Sequence, residues 1–481
     1  MKSQRPACRL VALLGIGVCV FAAPALAQDC PEPVGSWDTP RWTTDVAGAT
    51  AQADAADGED LEGDAETPAC AGMALNPQLV IWTDALINIL GGAAHNTAHD
   101  EFMVGWATVQ DQWSIDVWAR RLRPDGTLLE HFNIANAAGE QLVEPKIVYC
   151  PLRDEYLMAY TNWYDYTSGR ADVQARRVAW NGGWMGDIFT ITPELAQHIE
   201  PSIAYCGPCD EYVVTYTNQW PGGEIDLYAQ RVRAADGALL DMNYVASGGG
   251  WNRAFSGVAF HPQTYGGAGG YLIGYLAIAA SPPVEGRVRY KMSHTDLYDL
   301  YANPELDISS TSLAEKGPEV AAGQTGFLAA WWEQTTSGYQ VKARRISADG
   351  VTLGPPEGFP VSGVYVAGPS ILFDLAVTYA YPGLYLVFWE HETPSGVIEI
   401  HGIFVSEDAD ATVGDEVVLS GSGTNMSGPA ATCSPMSDCL IVYNWENPPS
   451  FDIAGDIARL VVMSSDGFES GNTSAWSATV P

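Results

Sequence analysis

The sequence predicts an all-β fold, a β-propeller of seven four-stranded blades, with six or eight blades as the alternatives. The main observation is a five-residue phrase, aromatic-aliphatic-aliphatic-any-aromatic, that returns every 54 to 59 residues. A repeat of this length with strand-like content is typical of propeller blades. Its copies run from Phe102 to Trp106, Tyr156 to Tyr160, Tyr212 to Tyr216, Tyr271 to Tyr275, Phe327 to Trp331, Tyr385 to Trp389 and, with Cys first, Cys439 to Tyr443.

The segment from Glu200 to Trp251 shows the four strands of one repeat most clearly. They are predicted at Pro201 to Tyr205, Tyr212 to Tyr216, Asp226 to Val232 and Met242 to Ala246. An Asp-Gly pair, which favours a tight hairpin turn, separates the third and fourth strands. It occupies the same place in three repeats, at Asp125-Gly126, Asp236-Gly237 and Asp349-Gly350.

The third strand carries twin arginines in three repeats: Arg120-Arg121, Arg176-Arg177 and Arg344-Arg345. Alternation along a strand points the two side chains to opposite faces. We therefore expect a structural role, with stems packed between blades and guanidinium groups on carboxylates such as Glu101, Glu155 and Glu211. Clamping of an anionic ligand is the alternative.

The repeats begin at about Gly91, Glu144, Glu200, Arg253, Gly317, Gly368 and Gly428, and the last has room for only three strands before Met463. An apolar stretch from Leu79 to Leu90 precedes them. We expect part of it to pair with the last repeat, because ring closure removes exposed sheet edges. The propeller is therefore predicted at residues 77–465.

The first 27 residues resemble a cleaved secretory signal peptide, with Lys2, Arg5 and Arg9 before an apolar stretch and a small-residue site ending at Ala27. Loss of these three basic residues and no acidic ones would take the formal net charge from -35 to -38. Such a charge argues against nucleic acid as a partner. We expect a secreted or cell-surface monomer with no transmembrane segment.

The acidic composition has two explanations. An acidic surface keeps an extracellular protein soluble, whereas carboxylates that converge on one point would bind calcium. We predict no cofactor, with Ca²⁺ as the cation that the pattern would admit. Residues 28–76 form an acidic N-terminal segment or linker, with eight acidic residues between Asp45 and Glu66.

Seven cysteines remain after the predicted cleavage, and an exported chain can oxidise them. The candidate disulfides are Cys433 with Cys439, Cys206 with Cys209, and Cys30 with Cys70, which leaves Cys150 over. Cys150 occupies the place of Cys206 in the preceding repeat, so other pairings stay open. The Cys206-x-x-Cys209 motif lies in a predicted strand-strand turn, which favours a structural role over redox chemistry.

Two short segments resemble known sequences. Pro33 to Pro40, with Asp45-Val46-Ala47 and Ala56 to Asp60, resembles one unit of the LVIVP repeat family of extracellular propellers. The tail, residues 466–481, contains Gly467-Phe468-Glu469-Ser470-Gly471 and resembles an ending found on many exported bacterial proteins. This resemblance implies sorting or attachment, and a disordered chain end is the alternative. The repeats themselves resemble secreted bacterial propellers in general, so no catalytic residue is carried over.

Candidate ligand-binding residues lie in the predicted loops between the second and third strands. Aromatic rings beside carboxylates and amides are typical of sugar recognition. These residues are Trp113, Trp163, Tyr164, Trp220, Trp332, Glu333, Glu390, Trp445 and Glu446. Asp111, Asp165, Glu333, Glu390 and Glu446 are the acids that an enzyme would draw on. Glu390-His391-Glu392 is predicted on a loop, unlike the helical HExxH metal motif.

The sequence favours an extracellular binding or scaffold module, with an extracellular glycan or protein as partner. The alternative is a carbohydrate-active enzyme, a glycoside hydrolase or lyase, and a third possibility is a spacer. Carboxylates with raised pKa values around the axis would favour the enzyme, because acid-base chemistry needs shifted groups. A ring of exposed aromatic residues without them would favour the binder.

Overall fold

The computed structural model describes residues 71–75, 78–111, 113–165, 169–192, 196–246, 249–280, 286–300, 302–311, 315–366, 374–419, 424–434, 438–448 and 450–462. The expected signal peptide, the LVIVP-like segment, the tail, and Cys30 and Cys70 lie outside these residues. Within them the chain forms 29 strands and one helical turn, α1 (Thr264–Gly267). None of the described helical structure is long and apolar enough to cross a membrane.

Two strands, β1 (Ala71–Leu75) and β2 (Leu79–Trp82), precede seven successive groups of strands. Group 1 contains β3 (Ile87–Asn96), β4 (Glu101–Val109), β5 (Ile115–Leu122) and β6 (Leu128–Ala135), and group 2 contains β7 (Gln141–Cys150), β8 (Glu155–Asp165), β9 (Arg170–Ala179) and β10 (Phe189–Thr190). Group 3 contains β11 (Gln197–Cys206), β12 (Glu211–Gln219), β13 (Ile225–Arg233) and β14 (Leu239–Ala246), and group 4 contains β15 (Trp251–His261), β16 (Gly270–Ala279), β17 (Gly286–His294) and β18 (Leu306–Asp307). Group 5 contains β19 (Glu315–Ala322), β20 (Gly326–Gln334), β21 (Tyr339–Ser347) and β22 (Phe359–Pro360). Group 6 contains β23 (Leu375–Tyr381), β24 (Leu384–Glu392), β25 (Ile398–Ser406) and β26 (Thr412–Leu419). Group 7 contains β27 (Met426–Cys433), β28 (Asp438–Asn447) and β29 (Ser450–Val462).

Neighbouring strands within each group pair antiparallel. We call the first strand of each group its inner strand, because it contacts the inner strand of the next group, and β27 contacts β3. The last group has three strands of its own, and its strand β29 pairs antiparallel with both β1 and β2. Strand β1 lies upstream of the expected boundary at residue 77. The fold is all-β and propeller-like.

The repeated five-residue phrase lies in the second strand of each group, and its side chains are buried on both faces of that strand. In β8, Tyr156, Met158 and Tyr160 pack against group 1, whereas Leu157 and Ala159 pack against group 3. The large side chains recur every second residue because alternate residues of a strand share a face. Burying one such side chain stabilises the fold by roughly 1.5–3 kcal/mol. The hydrophobic core therefore lies between adjacent groups of strands.

The second arginine of each pair meets a carboxylate, as the sequence predicts. Arg177 donates to both oxygens of Glu155, at 2.9 and 2.6 Å. Arg121 pairs with Glu101, and Arg231, which follows Gln230 at the equivalent place in group 3, pairs with Glu211. Arg345 instead reaches Asp410 in the next group. The first arginines donate to backbone carbonyls: Arg120 to Ile81, Arg176 to Ile134 and Arg344 to Ile308.

Two of the candidate disulfides are present, Cys206 with Cys209 and Cys433 with Cys439. Each closes the turn between the first and second strands of its group, so the Cys-x-x-Cys motif lies in a turn as predicted. Cys150 is a free, buried thiol. Burial raises its pKa, which keeps it in the unreactive thiol form.

Candidate functional site

Most inner strands are interrupted by a β-bulge near their start. The residue that opens the bulge has a positive φ in five groups: Glu144 (56°), Glu200 (58°), Phe255 (54°), Gly317 (48°) and Gly428 (61°). Glycine adopts this conformation without strain, whereas glutamate at this backbone geometry is uncommon and costs energy. Two acidic residues are therefore held at the bulges despite a backbone that favours glycine.

These bulges also explain why the expected starts of several repeats are a few residues late. Strands β7, β11, β19 and β27 begin two or three residues before Glu144, Glu200, Gly317 and Gly428. The bulge breaks the period-two pattern, so the residues before it do not read as part of the same strand.

Glu144 and Glu200 link neighbouring groups through the same contacts. Glu144 Oε2 accepts hydrogen bonds from the Thr161 hydroxyl at 3.0 Å and from the Glu200 backbone N–H at 3.2 Å. Glu200 Oε2 accepts them from the Thr217 hydroxyl at 2.9 Å and from the Phe255 backbone N–H at 3.4 Å. Each carboxyl group thus accepts a hydrogen bond from the backbone N–H at the bulge of the following group.

Glu390 meets the bulge of the last group in a similar way but keeps one oxygen free. Its Oε1 accepts a hydrogen bond from the Gly428 N–H at 2.7 Å. Its Oε2 is buried without a hydrogen-bond partner among the described residues, and the residue is 4% exposed. Such burial destabilises the ionised carboxylate, because no hydrogen bond to Oε2 offsets the loss of its hydration.

Asp374 lies beside Glu390. Its backbone carbonyl accepts the Glu390 N–H at 3.2 Å. Its side chain is exposed, and its Oδ2 would lie 3.8 Å from a Cβ placed on Gly428. The two carboxyl groups therefore flank Gly428, one buried and one open to solvent.

Five carboxyl groups from four groups of strands influence one another electrostatically, and we call Glu144, Glu200, Glu319, Asp374 and Glu390 the axial acids. Desolvation by the surrounding protein raises the pKa of all five, including Asp374, whose side chain is solvent-accessible but has protein packed closely around it. The pKa of Glu200 rises to about 8, with the Glu144 charge adding to the effect. The pKa of Glu390 rises to about 8, with the Asp374 charge adding to the effect, and that of Glu319 to about 7.

Lys146 is the cation that acts on this cluster. Its charge lowers the pKa of Glu144, Glu200, Glu319 and Asp374, partly offsetting burial. Its side chain is exposed, and Glu144, Glu200 and Glu319 are half-buried. The groups are thus crowded by protein yet reached by solvent.

The axial acids lie toward the end of the fold that carries the loops between second and third strands. Glu144 is the fourth residue of the ten-residue β7, whose first residue, Gln141, pairs with Trp163 near the end of β8. At about 3.3 Å per residue, that offset is about 10 Å. A ligand on this face would have to extend about 10 Å along the inner strands to reach Glu144.

The structure distributes the predicted binding residues unevenly on this face. Trp113 is 57% exposed. Trp163, Tyr164, Trp220 and Trp445 are half-buried. The Trp220 indole N–H donates to Asp226 at 3.0 Å, and that of Trp445 donates to Thr424 at 2.7 Å.

Two of the predicted residues are enclosed. Trp332 is 3% exposed and Glu333 is 1% exposed, and Glu333 forms an ion pair with Lys342 at 2.9 Å. The half-buried Glu446 accepts a hydrogen bond from Asn425. Of the nine residues, the structure brings only Glu390 into the axial acids.

The expectation that these residues lie in loops is wrong for most of them. Trp332 and Glu333 lie in β20, Glu390-His391-Glu392 ends β24, and Trp445 and Glu446 lie in β28. The second strands continue beyond the repeated phrase because they stay paired with the third strands, for example Glu333 with Gln340.

Sequence reasoning missed four of the five axial acids. A signal was present, since Glu-Pro or Gly-Pro stands at the bulge in Glu144-Pro145, Glu200-Pro201, Gly317-Pro318 and Gly428-Pro429. Repetition of that dipeptide at the blade period marks a special backbone position, although it does not reveal which carboxyl groups meet.

The raised pKa of Glu200 predicts a pH-dependent stability. The folded protein binds the proton more tightly than the unfolded chain, so this stabilisation is fully present below the ordinary pKa of 4.5 and is lost as the pH rises through about 8. We expect the melting temperature to fall over this range and to fall less in Glu200→Gln, measured by thermal denaturation. The exposed Glu224→Gln is the control. An equal decline in all three proteins would contradict the assignment.

Within the described residues, no three His, Cys, Asp or Glu side chains are already arranged as a metal centre. The axial acids as they stand are therefore a cluster of carboxyl groups with one lysine. Such a cluster can hold and exchange protons near neutral pH.

Comparisons with known proteins show likeness only in structure. No protein-family profile and no curated protein matches the chain. Similar solved structures include a protein of unknown function from Dyadobacter fermentans, 14% identical, covering 81% of this chain and 100% of that one with a TM-score of 0.48.

Two others are the GH93 α-L-arabinofuranosidase of Fusarium graminearum (11% identical, 80% and 98% covered, TM-score 0.45) and the α-L-arabinanase of Penicillium chrysogenum (10%, 72% and 98%, TM-score 0.42). These scores are below 0.5, so we draw no argument from them, and the function must be inferred from the site itself.

Proposed function

We propose that the protein is a carbohydrate-active enzyme that hydrolyses glycosidic bonds at the axial acids. The observation that carries this proposal is Glu390, a buried carboxyl group with a pKa of about 8. One of its oxygens has no hydrogen-bond partner in the described part of the chain, and the exposed Asp374 lies beside it. Glycoside hydrolysis requires two carboxyl groups, one protonated and one ionised. The sequence alone favours a binding module, whereas the raised pKa values of the axial acids favour an enzyme.

Glu390 fits the role of general acid. Its raised pKa keeps the proton on the group at neutral pH, and the proton can be donated to the oxygen of a leaving sugar. Asp374 fits the role of the ionised partner, because it is the more exposed member of the pair and the charge of Lys146 lowers its pKa, partly offsetting the rise caused by desolvation. Gly428, which both carboxyl groups flank, is also closely approached by Asn444, whose Nδ2 would lie 2.8 Å from a Cβ placed on Gly428.

The aromatic residues on the same face would bind the sugar chain. Rings such as Trp113, Trp163, Tyr164, Trp220 and Trp445 can cover the apolar C–H faces of sugars, while the neighbouring amide and carboxylate groups bind hydroxyls. The partner would then be an extracellular glycan. The exposed ring of Trp113 is the observation that also favours binding without catalysis.

We infer that the seven groups of strands form the seven blades of a closed propeller. Contacts between successive inner strands, including β27 with β3, support closure, as does pairing of β29 with β1 and β2. We also infer an extracellular location. The two disulfides support it, since such bonds persist in oxidising compartments.

The proposal is tested by incubating the full chain with a panel of polysaccharides and measuring the reducing ends released. We expect release from at least one glycan, and NMR of the first product would report whether the anomeric configuration is retained. Binding to a glycan array without any release would overturn catalysis and leave a binding module. Absence of both binding and release would overturn the carbohydrate proposal.

Replacement of the aromatic rings should weaken binding and leave the chemical step intact. For Trp163→Ala, Trp220→Ala and Trp445→Ala we expect KM to rise about tenfold each, which corresponds to about 1.4 kcal/mol, with kcat nearly unchanged. Trp184→Ala is the control, because Trp184 is 59% exposed but lies between β9 and β10, away from this face. Loss of kcat with unchanged KM would contradict a binding role.

A further inference from the structure

The bulge of group 4 carries an aromatic residue. At this place groups 2 and 3 have Glu144 and Glu200, and groups 5 and 7 have Gly317 and Gly428. Group 4 has Phe255, whose φ is 54°. A positive φ is uncommon for any residue other than glycine and is a true outlier for a bulky one. The chain therefore holds this ring on a backbone conformation that disfavours it.

Contacts on both sides of Phe255 hold this backbone conformation. The Phe255 N–H donates to Glu200 Oε2 at 3.4 Å. The next side chain, Ser256, shares a hydrogen bond of 2.8 Å with the hydroxyl of the buried Thr215. A strained backbone persists only where the surrounding structure fixes it, and such positions cluster at active sites and ligand-binding sites. The strain at Phe255 thus points to a function for its side chain.

The apolar ring of Phe255 is open to solvent, since the residue is 41% exposed. Leaving an aromatic ring in water forgoes the stabilisation that its burial would give. A single exposed apolar residue is common on protein surfaces. Here the exposure coincides with a strained backbone and with neighbouring carboxyl groups, and the three together distinguish Phe255 from an incidental surface residue.

Two of the axial acids lie on either side of Phe255. Glu200 contacts its backbone N–H from group 3. Glu319 comes from group 5, and its Oε2 would lie 3.5 Å from a Cβ placed on Gly257, two residues further along β15. Desolvation raises the pKa of Glu200 to about 8 and that of Glu319 to about 7. Carboxyl groups that keep a proton near neutral pH can both donate and accept hydrogen bonds.

An aromatic ring beside such groups is suited to a sugar, because the ring covers the apolar C–H face while the polar groups bind hydroxyls. We propose that one sugar unit of the glycan stacks on Phe255 beside the axial acids, an inference that rests on the proposed function. A phenyl ring has no hydrogen-bonding atom, so Phe255 recognises the C–H face of the sugar. It contributes to binding of the glycan and takes no part in proton transfer.

Phe255 lies deeper along the inner strands than the aromatic residues predicted from the sequence. It opens the bulge of β15, as Glu144 opens that of β7, so the two residues occupy the same level of the fold. Trp163, in contrast, lies near the end of β8. Only group 5 separates the bulge of Phe255 from group 6, which carries Glu390. A sugar unit on Phe255 would therefore lie at the level of the axial acids.

Affinity electrophoresis tests this contact apart from catalysis. The full chain is run through gels that contain arabinan, xylan, galactan or β-glucan, and the retardation gives a dissociation constant for each polysaccharide. We expect Phe255→Gly to raise the constant about three- to tenfold for a polysaccharide that retards the unaltered chain. Phe255→Tyr keeps the ring and should bind as the unaltered chain does. KM in the reducing-end assay is the second readout and should rise by the same factor in Phe255→Gly.

The glycine variant separates a binding role from a structural one. Groups 5 and 7 already carry glycine at this place, in Gly317 and Gly428, so Phe255→Gly should fold with a melting temperature close to that of the unaltered chain. Tyr298→Gly is the control, because Tyr298 is 69% exposed but lies between β17 and β18, at the opposite end of the fold from the loops between second and third strands. Its dissociation constant should be unchanged.

Two results would overturn the proposal, and they differ in what they leave standing. An unchanged dissociation constant and KM in Phe255→Gly would remove Phe255 from the binding site but leave the proposed hydrolysis intact. Retardation of the unaltered chain by none of the polysaccharides, with no reducing ends released, would overturn both proposals. Glu390→Gln should still be retarded although its hydrolysis is lost, which keeps the readout of binding separate from that of catalysis.

Discussion

Replacing Glu390 by glutamine should lower kcat about 10²- to 10⁴-fold, the usual contribution of a general acid. Glutamine preserves the shape and can still accept the Gly428 N–H that Glu390 Oε1 accepts at 2.7 Å, so the fold should persist. It has no proton to transfer. The measurement is steady-state kinetics on the glycan that the polysaccharide panel identifies.

The pH dependence gives the same experiment a sharper signature. Glu390 must be protonated to act as the acid, so activity should fall as the pH rises through about 8. That alkaline limb should be absent from the residual activity of Glu390→Gln. Glu224→Gln, an exposed residue on the same face, should behave as the unaltered enzyme. An unchanged kcat in Glu390→Gln would exclude it as the acid.

Removing Arg177 should be the most destabilising single change among the paired arginines. The Glu155 side chain is fully buried, and Arg177 donates to both of its oxygens. In Arg177→Ala only the Tyr212 hydroxyl, at 3.1 Å, remains as a described side-chain partner of that carboxylate. Breaking a buried pair in this way costs about 3–5 kcal/mol.

The free energy of unfolding from chemical denaturation measures this effect. Arg233→Ala is the matched control, because Arg233 and Asp236 also form an ion pair but their side chains are 49% and 51% exposed. We expect the control to lose far less stability, because an ion pair that is open to water contributes little. An equal loss of unfolding free energy in the two variants would show that the buried pair contributes no more to stability than the exposed one.

The sequence predicted the structure best where the same residue types recur once in each group of strands. The aromatic phrase predicted the second strand of each group because its side chains must fill the spaces on both sides of the sheet. The carboxylate partners of Arg121, Arg177 and Arg231 followed from the same periodicity, since each arginine faces a residue of the neighbouring strand.

The axial acids could not be predicted in this way. Asp374 and Lys146 lie in groups 6 and 2, and only the arrangement of the groups brings their charges together. The pKa of Glu390 depends on its burial and on Asp374, neither of which is visible in the sequence. Likewise, the predicted loop position of Trp332 was wrong because β20 extends through Gln334 and buries this side chain.

The most direct test of the central claim is the protonation state of Glu390. Infrared difference spectra between the unaltered chain and Glu390→Gln isolate the C=O stretching band of this one carboxylic acid. We expect the band to be present at pH 7 and to disappear with a midpoint near pH 8. Absence of the band at pH 7 would mean that Glu390 is already ionised, and the proposed general acid would have no proton to give.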